Sequence, residues 1–202
     1  MITIIDYGMG NLRSVEKAFE RFSKKVRISS APEDIFSSDK IVLPGVGAFG
    51  KAMEELRKRN LVDTILKTIK NNVPFLGICL GLQLLFSESE EGGTPFGLDV
   101  FKGKVRLFKD IGDLKIPHMG WNSLDIAEKD NKILKNVKSG SYMYFVHSYY
   151  VEPEDKSIIL CSTDYGKPFT SGIHKDNVYA FQFHPEKSQK IGLNIIKNFV
   201  EL

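Results

Sequence analysis

Two short segments place reactive side chains in company that could do covalent chemistry. The first is Gly77-x-Cys79-x-Gly81, inside Pro74-Phe75-Leu76-Gly77-Ile78-Cys79-Leu80-Gly81-Leu82-Gln83-Leu84-Leu85-Phe86. The apolar run behind the proline reads as a buried strand, and the breaker-free apolar segment after it reads as a helix. A sharp strand-to-helix turn lifts a nucleophile above a sheet, and flanking glycines leave room for the crowded backbone. It also sets Cys79 at a helix N-terminus, whose partial positive charge favours a thiolate. The competing reading is a buried structural cysteine, because free cysteine is among the most buried residue types.

A thiol nucleophile needs a base, and the base needs a group that orients it. The histidines are His118, His147, His174 and His184. His184 fits best, because Phe181-Gln182-Phe183-His184-Pro185-Glu186 closes an apolar strand, where function collects in α/β folds. Pro185 pushes His184 toward extended geometry, and residues two apart in extended chain point to one side. Glu186 is thereby placed to hold the far side of the imidazole and stabilise its cation. A satisfied core histidine is the bland alternative. His147 comes second, with no acid after it, and His174 falls in an expected hairpin.

The elements that must position these groups alternate through the first half of the chain. Residues 1–5 read as a strand, followed by a turn at Gly8-x-Gly10 and a helix with Val15, Ala18, Phe19 and Phe22 on one face and Asn11 as N-cap. The third glycine of a dinucleotide fingerprint is missing, since position 13 is Arg, so a tight strand–helix turn is the default. Residues 26–30 and 40–43 read as strands. After the second, Pro44-Gly45-Val46-Gly47-Ala48-Phe49-Gly50 is either an ordinary glycine turn or a loop aiming N–H groups at a developing oxyanion. Residues 51–71 read as one or two helices. This β-α-β-α-β-α order argues a parallel sheet covered on both faces.

From about residue 100 the texture changes to short strand-like runs at 104–108, 120–126, 142–150 and 157–163. Segments 170–174 and 178–183 pair around Lys175-Asp176-Asn177, and a final helix covers 186–201. With 202 residues, 42% hydrophobic and 26% charged, the chain reads as one domain, 1–202, with a real core. A net charge of +3 without a basic block argues against nucleic-acid binding. Cys79 and Cys161 make neither a disulfide framework nor a metal site, and Cys161 reads as structural. With no signal peptide or spanning segment, the expected location is cytoplasmic.

The elbow with its following Gln83, together with the downstream His184-Pro185-Glu186, resembles the class I (triad-type) glutamine amidotransferases over essentially the whole chain. Five further segments resemble the branch of that family that serves imidazole glycerol phosphate synthases. They are Asp6-Tyr7-Gly8-Met9-Gly10-Asn11, Pro44-Gly45-Val46-Gly47-Ala48-Phe49, Pro117-His118-Met119-Gly120-Trp121-Asn122, Tyr144-Phe145-Val146-His147-Ser148-Tyr149 and Phe183-His184-Pro185-Glu186-Lys187-Ser188. Anthranilate-type and GMP-type glutaminases usually carry another residue set in the oxyanion and tryptophan segments.

The resemblance implies a flavodoxin-like α/β fold, with a mostly parallel central sheet flanked by helices and added antiparallel strands in the C-terminal half. It implies glutamine hydrolysis through a Cys79 γ-glutamyl thioester, with His184 as acid and base and Glu186 as its orienter. The oxyanion donors would be the Leu80 N–H and one from Gly45, Val46 or Gly47. Gln83, Glu91, Ser148 and Tyr149 would hold the substrate's α-amino and carboxylate groups, with Glu88 and Glu90 as competitors to Glu91. The implied partner is a (β/α)8-barrel cyclase, joined in a heterodimer, that receives ammonia directly. Asn11, Met119, Trp121 and Lys187 are the docking candidates, with a core aromatic as the alternative for Trp121. No cofactor, metal, nucleic acid or membrane is implied. The other readings are a glutaminase of another synthase such as the anthranilate type, a non-catalytic docking module, and a stand-alone thiol amidase.

Overall fold

In the computed structural model, residues 1–93, 95–128 and 130–202 are described. The apolar, β-branched runs of the N-terminal half become strands, and the amphipathic stretches between them become helices. In order these are β1 (Ile2–Ile5), α1 (Leu12–Glu20), β2 (Val26–Ser29), α2 (Pro32–Phe36), β3 (Lys40–Gly45), α3 (Phe49–Lys58), α4 (Leu61–Lys70), β4 (Phe75–Cys79) and α5 (Leu80–Gln83). The rest is mostly strand: β5 (Phe86–Ser89), β6 (Phe101–Leu107), β7 (His118–Ser123), β8 (Asp125–Ile126), β9 (Tyr142–His147), β10 (Tyr149–Pro153), β11 (Ile159–Asp164), β12 (Pro168–Lys175) and β13 (Val178–Phe181). Helix α6 (Gln189–Glu201) closes the chain.

Strands β2-β1-β3-β4-β13 are parallel and form the centre of an eleven-stranded sheet. The sheet continues through β12, β10 and β6 with antiparallel pairing, and β5 lies parallel to β6 at the edge. Strands β7 and β9 form a separate two-stranded ribbon. Because β-strand side chains alternate, the central strands feed two cores. Ile2, Ile4, Val42, Leu76 and Ile78 pack against α1 and α6 through Val15, Phe19, Ile195 and Phe199. Ile5, Ile41, Leu43 and Phe75 pack on the other face against α2, α3 and α4 through Ile35, Met53, Leu56 and Ile65. Among the described residues no helix is long and apolar enough to cross a membrane.

Local signals account for several boundaries. Asn11 caps α1 by accepting the Ser14 N–H at 3.3 Å, and Pro32 starts α2. Three readings need correction. The helix expected after Cys79 is a single turn, and Phe86 already begins a strand. The carbonyls of Leu84 and Leu85, which a longer helix would use, accept instead from the N–H groups of Leu98, Val100 and Phe101. The aromatic run 142–150 is two strands that part at Ser148, β9 joining the ribbon and β10 the main sheet. The last helix starts at Gln189, after a 3-10 turn at Pro185–Lys187.

Candidate active site

Parallel register brings three strand ends together. Gly45 of β3 stands opposite Cys79 of β4, and Ile78 stands opposite Phe181 of β13. The loops after β3, β4 and β13 therefore converge at the carboxyl edge, where open α/β sheets form their crevices. Cys79 sits at φ 55° and ψ −106°, a backbone state that a residue with a Cβ adopts only under strain. The flanking glycines give clearance. A Cβ on Gly77 would lie 2.9 Å from the Gly81 carbonyl oxygen, and one on Gly81 would overlap the Leu43 carbonyl. Since α5 is one turn long, few peptide dipoles add up at Cys79, and the helix-end argument made from the sequence carries little.

The positive charge near the thiol comes from His184. Its Nδ1–H donates to Glu186 Oε1 at 2.8 Å, with both side chains almost fully buried. Glu186 achieves this from the 3-10 turn rather than from extended chain, while His184 itself is extended. The imidazole is held from behind, because the His184 N–H donates to the Tyr144 carbonyl at 2.9 Å and Ser188 Oγ donates to the His184 carbonyl at 2.6 Å. Among the described residues its buried Nε2 has no hydrogen-bond partner, and neither has Glu186 Oε2. Burial opposes protonation of His184, but Cys79 and Glu186 beside it outweigh that and push its pKa up to about 10.

A cavity of about 330 Å³ opens over Cys79. It is lined by Val46, Gly47, Leu80, Gln83, Glu91, Ser148 and Tyr149, all residues singled out from the sequence. Gly45 lies behind it, buried in the β3–β4 ladder, where a Cβ would strike the Tyr7 hydroxyl. The three neighbouring acids separate clearly. Glu88 pairs with Lys104 at 2.5 Å, and Glu90 with Arg106 at 2.7 Å and the Leu107 N–H at 3.1 Å. Glu91 faces the cavity and accepts the Phe49 N–H at 2.7 Å, at the start of α3.

The sequence assigns no role to the other residues at the site, apart from His147 as the second choice of base. Pro117, Val146 and His147 complete the lining. Behind the sulfur, the Gln182 amide donates to Cys79 Sγ at 3.7 Å, and the thiol faces the Val146 carbonyl at 3.9 Å. His147, second choice as a base, is committed elsewhere. Its Nδ1–H donates to the Tyr149 carbonyl at 2.8 Å, so its Nε2 accepts from His118 Nδ1 at 2.9 Å. His118 Nε2 in turn accepts from Asn122 at 3.3 Å. Burial lowers the pKa of His147 to about 3 and of His118 to about 4, and both rings are neutral at pH 7. His174 lies in the β12–β13 hairpin, stacked on Tyr179.

Met119 and Trp121, two apart on β7, are 63% and 45% exposed, so Trp121 is not a core aromatic. Tyr144 of the paired strand sits edge-on to Trp121 at 6.1 Å, and Lys187 Nζ lies 5.8 Å from the same tyrosine ring. Asn11 is exposed on another element, with its side-chain oxygen engaged in capping α1.

The family model for class-I glutamine amidotransferases matches residues 3–202. The chain is 55% identical over 202 residues to the imidazole glycerol phosphate synthase subunit HisH of Methanocaldococcus jannaschii, covering 100% of both chains. It is 51% identical over 207 residues to the protein of the same name from Syntrophotalea carbinolica, again covering 100% of both. Among solved structures, PurLQS from Thermotoga maritima shares the fold with a TM-score of 0.77 at 16% identity, over 99% of this chain and 97% of that one.

Proposed function

The chain belongs to the class-I glutamine amidotransferase family, and from that premise we propose that it is the glutaminase subunit of an imidazole glycerol phosphate synthase, acting in histidine biosynthesis. Relatives of that name at 51% and 55% identity over the full chain favour this synthase over an anthranilate-type one. The observation that carries the chemistry is the buried His184–Glu186 pair, whose ring charge is favoured by a cysteine on a strained elbow.

In this reading Cys79 is the nucleophile. The His184 cation keeps the sulfur as thiolate, which attacks the side-chain carboxamide carbon of glutamine. The carbonyl oxygen becomes an oxyanion, stabilised by the Leu80 N–H and by an N–H of the Gly45-Val46-Gly47 segment. His184 gives its proton to the leaving nitrogen, the C–N bond breaks, and ammonia departs from a γ-glutamyl thioester. Neutral His184 then takes a proton from water, which attacks the thioester and releases glutamate and the thiolate. Glu186 keeps the proton on Nδ1 and the ring in place. Gln83, Glu91, Ser148 and Tyr149 line the same cavity and hold the α-amino and carboxylate groups of the substrate.

Ammonia lost to water would be protonated, so it passes directly to a partner. The partner is a (β/α)8-barrel cyclase, docked as a heterodimer through Met119, Trp121 and Lys187, with Asn11 as a further contact. The cyclase, a lyase, combines ammonia with a phosphoribulosyl formimino aminoimidazole carboxamide nucleotide. It yields imidazole glycerol phosphate and an aminoimidazole carboxamide ribonucleotide. The chain acts as one glutaminase domain in the cytoplasm. The test is synthesis by the chain mixed with its cyclase. Cys79→Ala should abolish the glutamine-dependent reaction and leave the ammonia-dependent one intact, and equal loss of both would sink the assignment.

A further inference from the structure

Building on the reading of Cys79 as the nucleophile, we propose that Gln182 is a fourth catalytic residue, an N–H donor that stabilises the Cys79 thiolate from behind. Gln182 is fully buried between Phe181 and Phe183, both also fully buried. An amide in such a place is costly unless its polar atoms are bonded, and an apolar side chain would fill the space without that cost. Its backbone N–H is anchored to the Ser171 carbonyl at 2.9 Å, and its side chain reaches the reactive sulfur at 3.7 Å.

Which end of the amide faces the sulfur follows from a chain of donors. The Tyr149 carbonyl only accepts, and it takes the Gln83 side-chain N–H at 3.0 Å. That orients Gln83, whose second N–H then points at Gln182 and is accepted by Oε1 at 3.1 Å. The Gln182 oxygen is thereby occupied, and only its Nε2 is left for the sulfur. Turning Gln83 over would set acceptor against acceptor, and turning Gln182 over would set donor against donor. The same arrangement leaves the Gln83 oxygen unengaged among the described residues, on a residue that lines the glutamine cavity.

The sulfur thus lies between two opposite influences. The Val146 carbonyl at 3.9 Å accepts from the thiol, and the Gln182 N–H donates to the thiolate. A donor stabilises the charged sulfur more than the neutral one. It therefore helps when the thiolate forms, and again when the thiolate leaves as the second tetrahedral intermediate collapses. Gln182 is not part of the cavity lining, so its direct effect falls on the chemical steps, and it touches glutamine binding only through Gln83.

The test uses Gln182→Met and Gln182→Glu in the chain assembled with its cyclase. The readouts are iodoacetamide alkylation of Cys79 against pH and turnover with glutamine and with ammonia. The methionine variant should move the alkylation midpoint up by about one pH unit. It should lower the glutamine kcat about tenfold, with a smaller rise in KM from the acceptor lost to Gln83, and leave ammonia-dependent synthesis intact. The glutamate variant, close to glutamine in shape, should move the midpoint further, because it sets a second negative charge beside the sulfur. It also answers the question if the methionine variant does not fold. Wild-type midpoints and kcat in the variants that fold, or a parallel loss of ammonia-dependent synthesis, would overturn the proposal. A wild-type chain that forms no γ-glutamyl adduct would overturn the nucleophile reading beneath it, a separate result from a wild-type adduct with unresponsive variants.

Discussion

Replacing Glu186 by glutamine removes one negative charge from a buried pair while nearly preserving its shape. The bond at stake is 2.8 Å long, between side chains that are 4% and 2% exposed. A hydrogen bond to a charged group is worth about 1.5–3 kcal/mol, or roughly 10- to 150-fold in rate. That range applies if the new amide presents its oxygen to Nδ1–H. If it presents its nitrogen, the ring proton moves to Nε2, the nitrogen that must act as base, and losses approach about 10⁴-fold. The expected kcat/KM for glutamine therefore falls between these limits, while ammonia-dependent synthesis by the complex is untouched. A pH signature accompanies it. The His184 pKa, about 10 in the fold, lies above its unfolded value of about 6.5. Its stabilising contribution is full below about pH 6.5 and is lost as pH rises through about 10. The variant should therefore be less stable than wild type at pH 6, with the gap closing toward pH 10, as read by urea denaturation. A kcat/KM within about threefold of wild type would refute the orienting role, and so would a gap that does not change with pH.

Gly81→Ala should strain the elbow against the Leu43 carbonyl, costing about 1–3 kcal/mol and several degrees in Tm. A melting curve unchanged from wild type would contradict the clearance argument. Glu91→Ala removes the acceptor on the Phe49 N–H, lowers stability by about 1 kcal/mol and raises KM for glutamine with little change in kcat. An unchanged KM would exclude Glu91 from substrate binding. His147 is depressed to about 3 by burial, so its contribution to stability is present above about pH 6.5 and is lost as pH falls toward 3. Between those limits His147 accounts for about 1.4 kcal/mol per pH unit, and His147→Asn should show a shallower acid dependence in denaturant titrations.

The legibility of this chain depends on which signals are local. Asn11 ahead of an amphipathic stretch marks α1 correctly, and Lys175-Asp176-Asn177 marks the β12–β13 hairpin. The elbow is readable because the residues that clear its crowded backbone, Gly77 and Gly81, stand beside Cys79 in sequence. The length of the following helix is not, because Leu84-Leu85-Phe86 is equally suited to a buried helix or strand, and distant N–H groups settle the choice. The aromatic run 142–150 carries no breaker at Ser148, so its division between two sheets is a tertiary effect. Among the acids, only pairing with Lys104 and Arg106 separates Glu88 and Glu90 from Glu91. Gln182 and the His118–His147 pair give no local signal, because their partners are far away in sequence.

The most direct measurement is mass spectrometry of the chain, mixed with glutamine and its cyclase, quenched in acid and digested. A γ-glutamyl adduct on the peptide bearing Cys79, absent from the peptide bearing Cys161 and lost in Cys79→Ala, is the predicted result. Glutamine consumed without an adduct on Cys79, or with one on another residue, would contradict the account.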